Sequence, residues 1–186
     1  GCMLTVASAE EYAITSVQNA EGGTETLRSM ALDDTVYLLS AMKELYAFDP
    51  ATQRTTLVPM RNANPECERI TDEALRFNDI SAGEAVPEWL QRDASLVDQL
   101  FSDGKTLYGV NEMNGTLYRV EIAKGEATLH AVVQLDFFSD VDGVCLPSLA
   151  SGVVCDGSLY LMMCLAQDEQ QLSYYRYDMT TGARTP

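Results

Sequence analysis

The sequence predicts an all-β protein made of about three four-stranded antiparallel sheets, with an irregular or partly helical insertion between the first two. Three observations support this prediction. Short runs alternate apolar and polar residues with the period of a strand. Asp-Gly and Asn-Gly pairs separate the runs where tight hairpins would reverse the chain. Eight of the nine tyrosines recur at matched places in these hairpins, which indicates an internal repeat.

The composition is that of one globular domain over residues 1–186, because 46% of the residues are apolar. Acidic residues outnumber basic ones 28 to 12, which gives a net charge of −16. Nucleic acid and anionic membranes repel such a chain, so neither is an expected partner. No apolar run reaches the roughly 18 residues that a membrane-spanning helix needs. The sequence shows no signal segment, so the chain is either cytosolic or has lost an export signal.

The middle repeat unit, residues 95–135, shows the strand pattern most clearly. The strand Thr106–Val110 leads into the loop Asn111–Gly115, and the strand Thr116–Glu121 follows. A further strand is expected around 127–135. The same layout recurs on both sides of this unit, at 27–58 and at 148–182, and a separate strand is expected at 11–18.

The spacing of the units locates the insertion. Asp103-Gly104 and Asp156-Gly157 lie 53 positions apart, whereas the first unit precedes the second by 70 positions. The excess falls in the irregular stretch at about 60–93, which is rich in Pro, Asn and charged residues. Thr71 is a suitable N-cap for a short helix there, with acidic residues in its first turn. A strand over 75–80 is the alternative.

The repeat resembles the blades of the β-propeller family. Asp34-x-x-Tyr37 followed by Leu45-Tyr46-x-Phe48-Asp49-Pro50-x-Thr52 is similar to the blade pattern of that family, and Leu117–Glu121 and Tyr175–Gly182 repeat it. The middle unit departs from the pattern, with Glu121 and Lys124-Gly125 in place of Asp and Thr-Gly. The resemblance implies a partial β-propeller and specifies no activity. Tyr-rich, acidic blades of this type resemble those of bacterial secreted lipoproteins, sometimes joined to solute-binding domains.

Three such sheets would not close around a channel, since propellers typically have about 4–8 blades. The third unit is also expected to lack its outermost strand, a gap that the strand at 11–18 would fill unless it belongs to a preceding blade. The chain is therefore expected to be part of a longer chain. Otherwise a partner, such as another copy, must cover its open sheet faces.

The cysteines and the single histidine do not form a metal-binding pattern, so neither a metal nor a cofactor is expected. Cys155 and Cys164 lie in apolar strands and are expected to be buried free thiols. The sequence alone neither requires nor excludes a disulfide between Cys67 and Cys145. Gly1-Cys2 resembles the end of a bacterial lipobox, whose cysteine carries a lipid anchor; the alternative is a tag remnant and an ordinary cysteine. The first interpretation implies an extracytoplasmic protein, attached to a membrane through that anchor alone.

No catalytic constellation stands out, and Asp140-Val141-Asp142-Gly143 is either a calcium-loop-like segment or an ordinary turn. Tyr37, Tyr108 and Tyr160 occupy equivalent positions and are expected to pack between sheets. The sequence favours a non-enzymatic binding or scaffolding module for a protein or small-molecule ligand. The candidate ligand-binding residues are Asp98, Asn111, Glu112, Asn114 and Trp89, whose indole is either an exposed recognition surface or a buried anchor.

An enzymatic alternative also stays open. It is a propeller-type hydrolase or lyase that acts on carbohydrate through acidic residues. Such an enzyme would need carboxylates clustered on the innermost strands, where Asp98 is the one obvious candidate, and their acidities would have to be shifted.

Overall fold

A computed structural model describes residues 27–64, 70–137, 148–164 and 173–185. Within these ranges the chain forms thirteen strands in three separate sheets, together with two short helices. The prediction of an all-β protein built from four-stranded antiparallel units is confirmed. The strand expected at 11–18, Asp140–Gly143, Cys2, Cys67 and Cys145 lie outside the described residues.

The first sheet is an antiparallel meander of four consecutive strands. Its first turn is tight, and Asp33 adopts the left-handed conformation there, with a φ of 52°. Asp is one of the few residues other than Gly that tolerate this geometry. The strands are β1 (Leu27–Leu32), β2 (Thr35–Ser40), β3 (Leu45–Asp49) and β4 (Arg54–Val58).

The middle sheet has five strands, one more than the repeat predicts, because the start of the insertion pairs in parallel with the last strand of the unit. Two asparagines hold this added strand. Asn62 donates a hydrogen bond to the Tyr118 hydroxyl, and the side-chain oxygen of Asn64 accepts one from the Ala131 N–H. The strands are β5 (Met60–Asn62), β6 (Gln99–Ser102), β7 (Leu107–Val110), β8 (Thr116–Ala123) and β9 (Glu126–Gln134).

The third sheet has a fourth strand, so the expectation that this unit lacks its outermost strand is wrong. The turn after Asp178 is short, and Gly182 reverses the chain with a φ of 75°. The two residues that follow pair with β12. The strands are β10 (Ser148–Cys155), β11 (Ser158–Cys164), β12 (Ser173–Asp178) and β13 (Arg184–Thr185).

The insertion contains two short helices. In α1 (Asp72–Phe77), the Thr71 hydroxyl accepts the hydrogen bond of the Ala74 N–H, so the predicted cap is confirmed and the strand alternative at 75–80 is wrong. The sequence interpretation did not identify α2 (Glu88–Ala94), which buries Leu90 and Ala94 completely. Trp89 lies on the opposite side of α2 and is 50% exposed.

Two apolar interfaces join the three sheets face to face. The first interface lies between the first and middle sheets and includes Leu39 and Leu45 against Leu107 and Tyr118. The second interface lies between the middle and third sheets and includes Phe101, Phe137, Leu161 and Tyr177. The middle sheet thus buries both of its faces, which explains why its strands are apolar on both sides.

The first strand of each unit lies next to that of its neighbour, since β6 contacts both β1 and β10. The three sheets therefore converge on one side, along their first strands, while β4 and β13 form outer edges. The β2–β3 turn and the β7–β8 loop meet at one end of this convergence.

The aspartates of the repeat motif hold turns. Asp49 and Asp178 each accept hydrogen bonds from the backbone N–H groups two and three residues later, and each also accepts one from a threonine hydroxyl. The middle unit needs no such aspartate, because Lys124 and Gly125 both adopt positive φ and make a two-residue hairpin turn. The departure from the motif is therefore a change of turn type.

Two side-chain expectations need correction. Cys155 is an exposed free thiol, because its side chain lies on the face of the third sheet that points away from the second interface. Tyr160 lies on the same face, under the guanidinium of Arg176, which is 5.8 Å from the ring centre. Tyr37 and Tyr108 do pack against the first and second interfaces, as predicted.

Candidate functional site

A cavity of about 280 Å³ lies between the first and middle sheets, near the ends of their adjoining first strands, β1 and β6. It forms where the β2–β3 turn meets the chain entering β6 and the β7–β8 loop. Its lining includes two cations, two carboxylates and a small apolar wall, namely Arg28, Lys43, Asp98, Glu112, Leu39 and Ala41. The side chains that line it come from both sheets, so packing of the first interface creates the cavity.

Lys43 ties the first sheet to the middle one. It lies in the β2–β3 turn with a φ of 61°, and its N–H donates to the Ser40 carbonyl. Its ammonium Nζ is 2.9 Å from Asp98 Oδ1 and donates a hydrogen bond to the Asp93 carbonyl at 3.2 Å. The side chains of Lys43 and Asp98 are each only 13% exposed, so this ion pair is largely withdrawn from solvent. Partial burial strengthens the attraction between the two charges.

Hydrogen bonds and an ion pair hold both the backbone and the carboxylate of Asp98. Its N–H donates to the Val110 carbonyl, and its Oδ2 accepts the Glu112 N–H at 2.7 Å. Its Oδ1 faces Lys43. Both carboxylate oxygens therefore have partners within the protein, which makes Asp98 the centre of a polar network that links the two sheets.

Arg28, on β1, forms a looser pair at the same cavity. Its Nη1 donates to the Asp98 carbonyl at 2.9 Å and lies 3.4 Å from Glu112 Oε1. The side chains of Arg28 and Glu112 are 40% and 24% exposed. The cavity therefore holds one tight, shielded ion pair and one long pair that is open to solvent.

The loop Asn111–Gly115 supports the site from behind. Asn111 is fully buried, and its amide donates to the carbonyls of Asp93 and Leu96. Asn114, also fully buried, donates to the Ala94 carbonyl. The Asp93 and Ala94 carbonyls belong to the C-terminal end of α2, where backbone acceptors lack helical partners, and Leu96 follows two residues after the helix. The two asparagines thus cap α2 and hold the inserted segment against the middle sheet.

The candidate residues separate into three groups. Asp98 and Glu112 line the cavity. Asn111 and Asn114 lie behind it, with their amides bonded to backbone groups. Trp89 is away from the cavity on α2. Arg28 and Lys43 were not identified from the sequence, and no local signal in it distinguishes them from other surface cations.

Hydrogen bonds hold the pKa of three carboxyl groups below the ordinary range. They come first from the Thr52 hydroxyl for Asp49, from the Thr106 N–H for Asp103 and from the Thr181 N–H for Asp178. All three carboxylates are in turns, so these shifts accompany turn formation. A general acid for glycoside hydrolysis would need a raised pKa, the opposite direction.

Within the described ranges, no three His, Cys, Asp or Glu side chains converge in a way that would hold a metal ion. In the same part of the chain, neither helix has the length and apolar character required to cross a bilayer.

Comparisons with known proteins give no family assignment. No family model matches the chain, and no curated protein matches it. Among solved structures, it is similar to the computationally designed Ika4 protein, with 13% identity and a TM-score of 0.42 over 92% of this chain and 78% of that one. It is also similar to the quinohemoprotein alcohol dehydrogenase from Comamonas testosteroni, with 14% identity and a TM-score of 0.44. That match covers 91% of this chain but 21% of the dehydrogenase. At these values neither likeness bears on what this chain does.

Proposed function

We propose that this chain is a non-enzymatic binding module, built as part of a β-propeller, whose ligand site is the cavity between the first and middle sheets. The observation that carries the proposal is the open Arg28–Glu112 pair at the mouth of that cavity. Polar groups that converge on a concave site and remain reachable from solvent are typical of ligand-binding sites.

Three features support the β-propeller part of the proposal. Each sheet contains a meander of four consecutive antiparallel strands, and the sheets stack face to face through apolar interfaces. The first strands β1, β6 and β10 adjoin one another. In a propeller the first strand of each blade lines the central channel, and ligands commonly bind near its mouth. We propose that the cavity, lined by Arg28 of β1 and by Asp98 just before β6, lies near such a mouth.

Binding is favoured over hydrolysis by the way in which the cavity carboxylates are used. A general acid or base must reach the substrate with an oxygen atom. Both oxygens of Asp98 already have partners, Lys43 and the Glu112 N–H. A paired acid and base for glycoside chemistry also needs two carboxylates that face each other across the substrate. The Asp98 carboxylate instead accepts a hydrogen bond from the Glu112 backbone N–H.

A ligand screen tests the proposal. We would follow the thermal unfolding of the wild-type chain in the presence of sugars, amino acids, short peptides and metal ions. A matched pair of variants, Arg28→Gln in the cavity and Arg119→Gln in the exposed Arg119–Glu121 pair on β8, assigns any effect to its site. A ligand should stabilise the wild type and Arg119→Gln and lose its effect on Arg28→Gln. The proposal fails if no compound stabilises the folded chain, or if both variants respond equally.

An extracytoplasmic location is part of the same proposal, and its support is the resemblance of Gly1-Cys2 to a lipobox. Mass spectrometry of the mature protein from its natural source tests it directly. A lipid on Cys2 is the expected result, and an unmodified Cys2 in that protein would contradict the anchor.

A further inference from the structure

We infer that the ligand of the cavity is a small zwitterion that carries a carboxylate and an ammonium group close together, as a free α-amino acid does. Arg28 would bind its carboxylate and Glu112 its ammonium. This inference rests on the proposed function, because it assumes that the cavity is the ligand site. It goes further in naming the chemical class of the ligand and the role of each charged residue.

The balance of charge in the cavity favours a ligand with both signs. The lining holds two cations, Arg28 and Lys43, and two carboxylates, Asp98 and Glu112. An anion bound at Arg28 would lie beside Glu112, and a cation bound at Glu112 would lie beside Arg28, because the two side chains are 3.4 Å apart. Each single charge would therefore meet one group of its own sign. A zwitterion satisfies both groups at once.

The two ion pairs differ in how readily a ligand can replace them. Lys43 and Asp98 are 2.9 Å apart and 13% exposed. Arg28 and Glu112 are 3.4 Å apart and 40% and 24% exposed. A long, partly exposed pair contributes less to stability than a short, shielded one, so a ligand loses less by separating it. The tight pair would keep its geometry and hold the cavity open.

Arg28 is well suited to a carboxylate. A guanidinium has five N–H donors in a planar fork that matches the two oxygens of a carboxylate. Of the three guanidinium nitrogens of Arg28, only Nη1 forms hydrogen bonds to described residues. The Nη1 end of the guanidinium is thus anchored on the Asp98 carbonyl, and the N–H groups of the other two nitrogens are available to a ligand. An anchored guanidinium loses less freedom on binding than a mobile one.

Size and net charge point the same way. The cavity of about 280 Å³ is below the roughly 300–1,000 Å³ of pockets for drug-sized molecules, so it suits a single small metabolite. Leu39 and Ala41 give the ligand an apolar wall. The chain carries a net charge of −16, which repels free anions at long range. A zwitterion has no net charge and escapes that repulsion.

The test is a series of matched compounds measured by isothermal titration calorimetry. The twenty common amino acids are titrated first into the wild-type chain. The tightest binder is then compared with its N-acetyl derivative, which lacks the ammonium, and with its carboxamide, which lacks the carboxylate. Removal of either charge should weaken binding at least about tenfold, because each removes a hydrogen bond between ionised groups. Equal binding of the N-acetyl derivative or the carboxamide would overturn the inference.

Variants assign the two charges to their residues. Arg28→Gln should abolish the preference for the free carboxylate, and Glu112→Gln should abolish the preference for the free ammonium. The Glu112 backbone N–H, which binds Asp98, is retained in Glu112→Gln, so that variant keeps the network. Arg119→Gln and Glu121→Gln, in an exposed pair away from the cavity, should leave both preferences intact. Circular dichroism establishes that each variant is folded before titration.

The outcomes separate this inference from the proposed function. If only compounds with a carboxylate bind, and binding depends on Arg28 but not on Glu112, the cavity is a ligand site and the zwitterion is wrong. If none of the amino acids binds, the inference falls, and the wider screen with Arg28→Gln decides the proposed function by itself.

Discussion

The two interfaces of this molecule are built in different ways. The second interface is a continuous apolar contact in which Phe137 meets Tyr177 edge to face, with ring centres 5.5 Å apart. The backbone of β10 lies close to the Phe101 ring there, since a Cβ placed on Gly152 would lie 2.5 Å from Phe101 Cε1. The first interface has an apolar centre too, but at the convergent end it becomes polar and encloses the cavity. Among the described residues, ion pairs cross the first interface and none crosses the second.

The difference shows where this architecture leaves room for function. At the second interface, close packing of apolar and aromatic side chains leaves little room between the two sheets. At the first interface the β2–β3 turn stands back from the middle sheet, and Lys43 spans the gap to Asp98. The gap becomes a cavity because charged side chains take the place of apolar contacts along part of its lining.

The largest expected effect is on the second interface. Gly182 has a φ of 75°, and a Cβ at this position would lie 2.0 Å from the Gln134 carbonyl oxygen of the middle sheet. Gly182→Ala should therefore force the two sheets apart and lower the free energy of unfolding by about 2–5 kcal/mol, from backbone strain and steric overlap together. Chemical denaturation followed by circular dichroism measures the loss.

Gly157 provides the matched control for that substitution. It is in the same sheet and has a similar φ of 72°, but nothing lies within 4 Å of the position that a Cβ would take. Gly157→Ala should cost only the strain of the left-handed backbone, about 1–2 kcal/mol. Equal losses for the two variants would mean that the second interface is not sterically tight.

The next effect is on the polar end of the first interface. Lys43→Met keeps the length of the side chain but leaves the Asp98 carboxylate without a cation, at a site that is 13% exposed. Loss of one partner from a shielded pair should lower the free energy of unfolding by about 2–4 kcal/mol. The exposed pair on β8 is the comparison, and Arg119→Met should cost less than about 1 kcal/mol.

A double variant shows whether the charge itself is responsible. Lys43→Met combined with Asp98→Asn removes the uncompensated carboxylate, so it should be more stable than Lys43→Met alone. If the double variant instead loses the sum of the two single effects, Lys43 and Asp98 contribute independently and their ion pair does not stabilise the first interface.

The sequence predicts the local features of both interfaces but not the cavity. Alternation and turn residues locate the strands, and Thr71 marks α1, because these signals act over a few residues. The Arg28–Glu112 pair joins residues 84 positions apart, and no local pattern encodes that contact. The parallel pairing of β5 with β9 is also a long-range contact. Asn111 and Asn114 were predicted to bind a ligand because they are polar loop residues. Their amides instead cap α2, a helix that the sequence did not predict.

A smaller effect contrasts two buried tyrosines. Tyr118, at the first interface, accepts a hydrogen bond from Asn62, whereas in the described part of the chain the buried hydroxyl of Tyr177, at the second, has no partner. Tyr118→Phe should therefore lower the free energy of unfolding by about 1–2 kcal/mol, because Asn62 loses an acceptor. Tyr177→Phe should be neutral or stabilising by up to about 1 kcal/mol. Comparable losses in the two variants would show that the Tyr177 hydroxyl is hydrogen-bonded in solution.

The same hydroxyl predicts how alkaline pH acts on the second interface. Burial, with a smaller contribution from Asp136, raises the pKa of Tyr177 above its ordinary value of 10.0. The unfolded chain therefore releases this proton at a lower pH than the folded chain does, so folding loses stability as the pH rises above 10. Between about pH 10.5 and pH 11, the loss of stability from this one group should be about 1 kcal/mol. Denaturation of the wild type and Tyr177→Phe at pH 8 and pH 10.7 should show a smaller alkaline loss in the variant. Identical losses would mean that the phenol ionises as easily in the folded chain, and that water reaches an interface whose packing is otherwise dry.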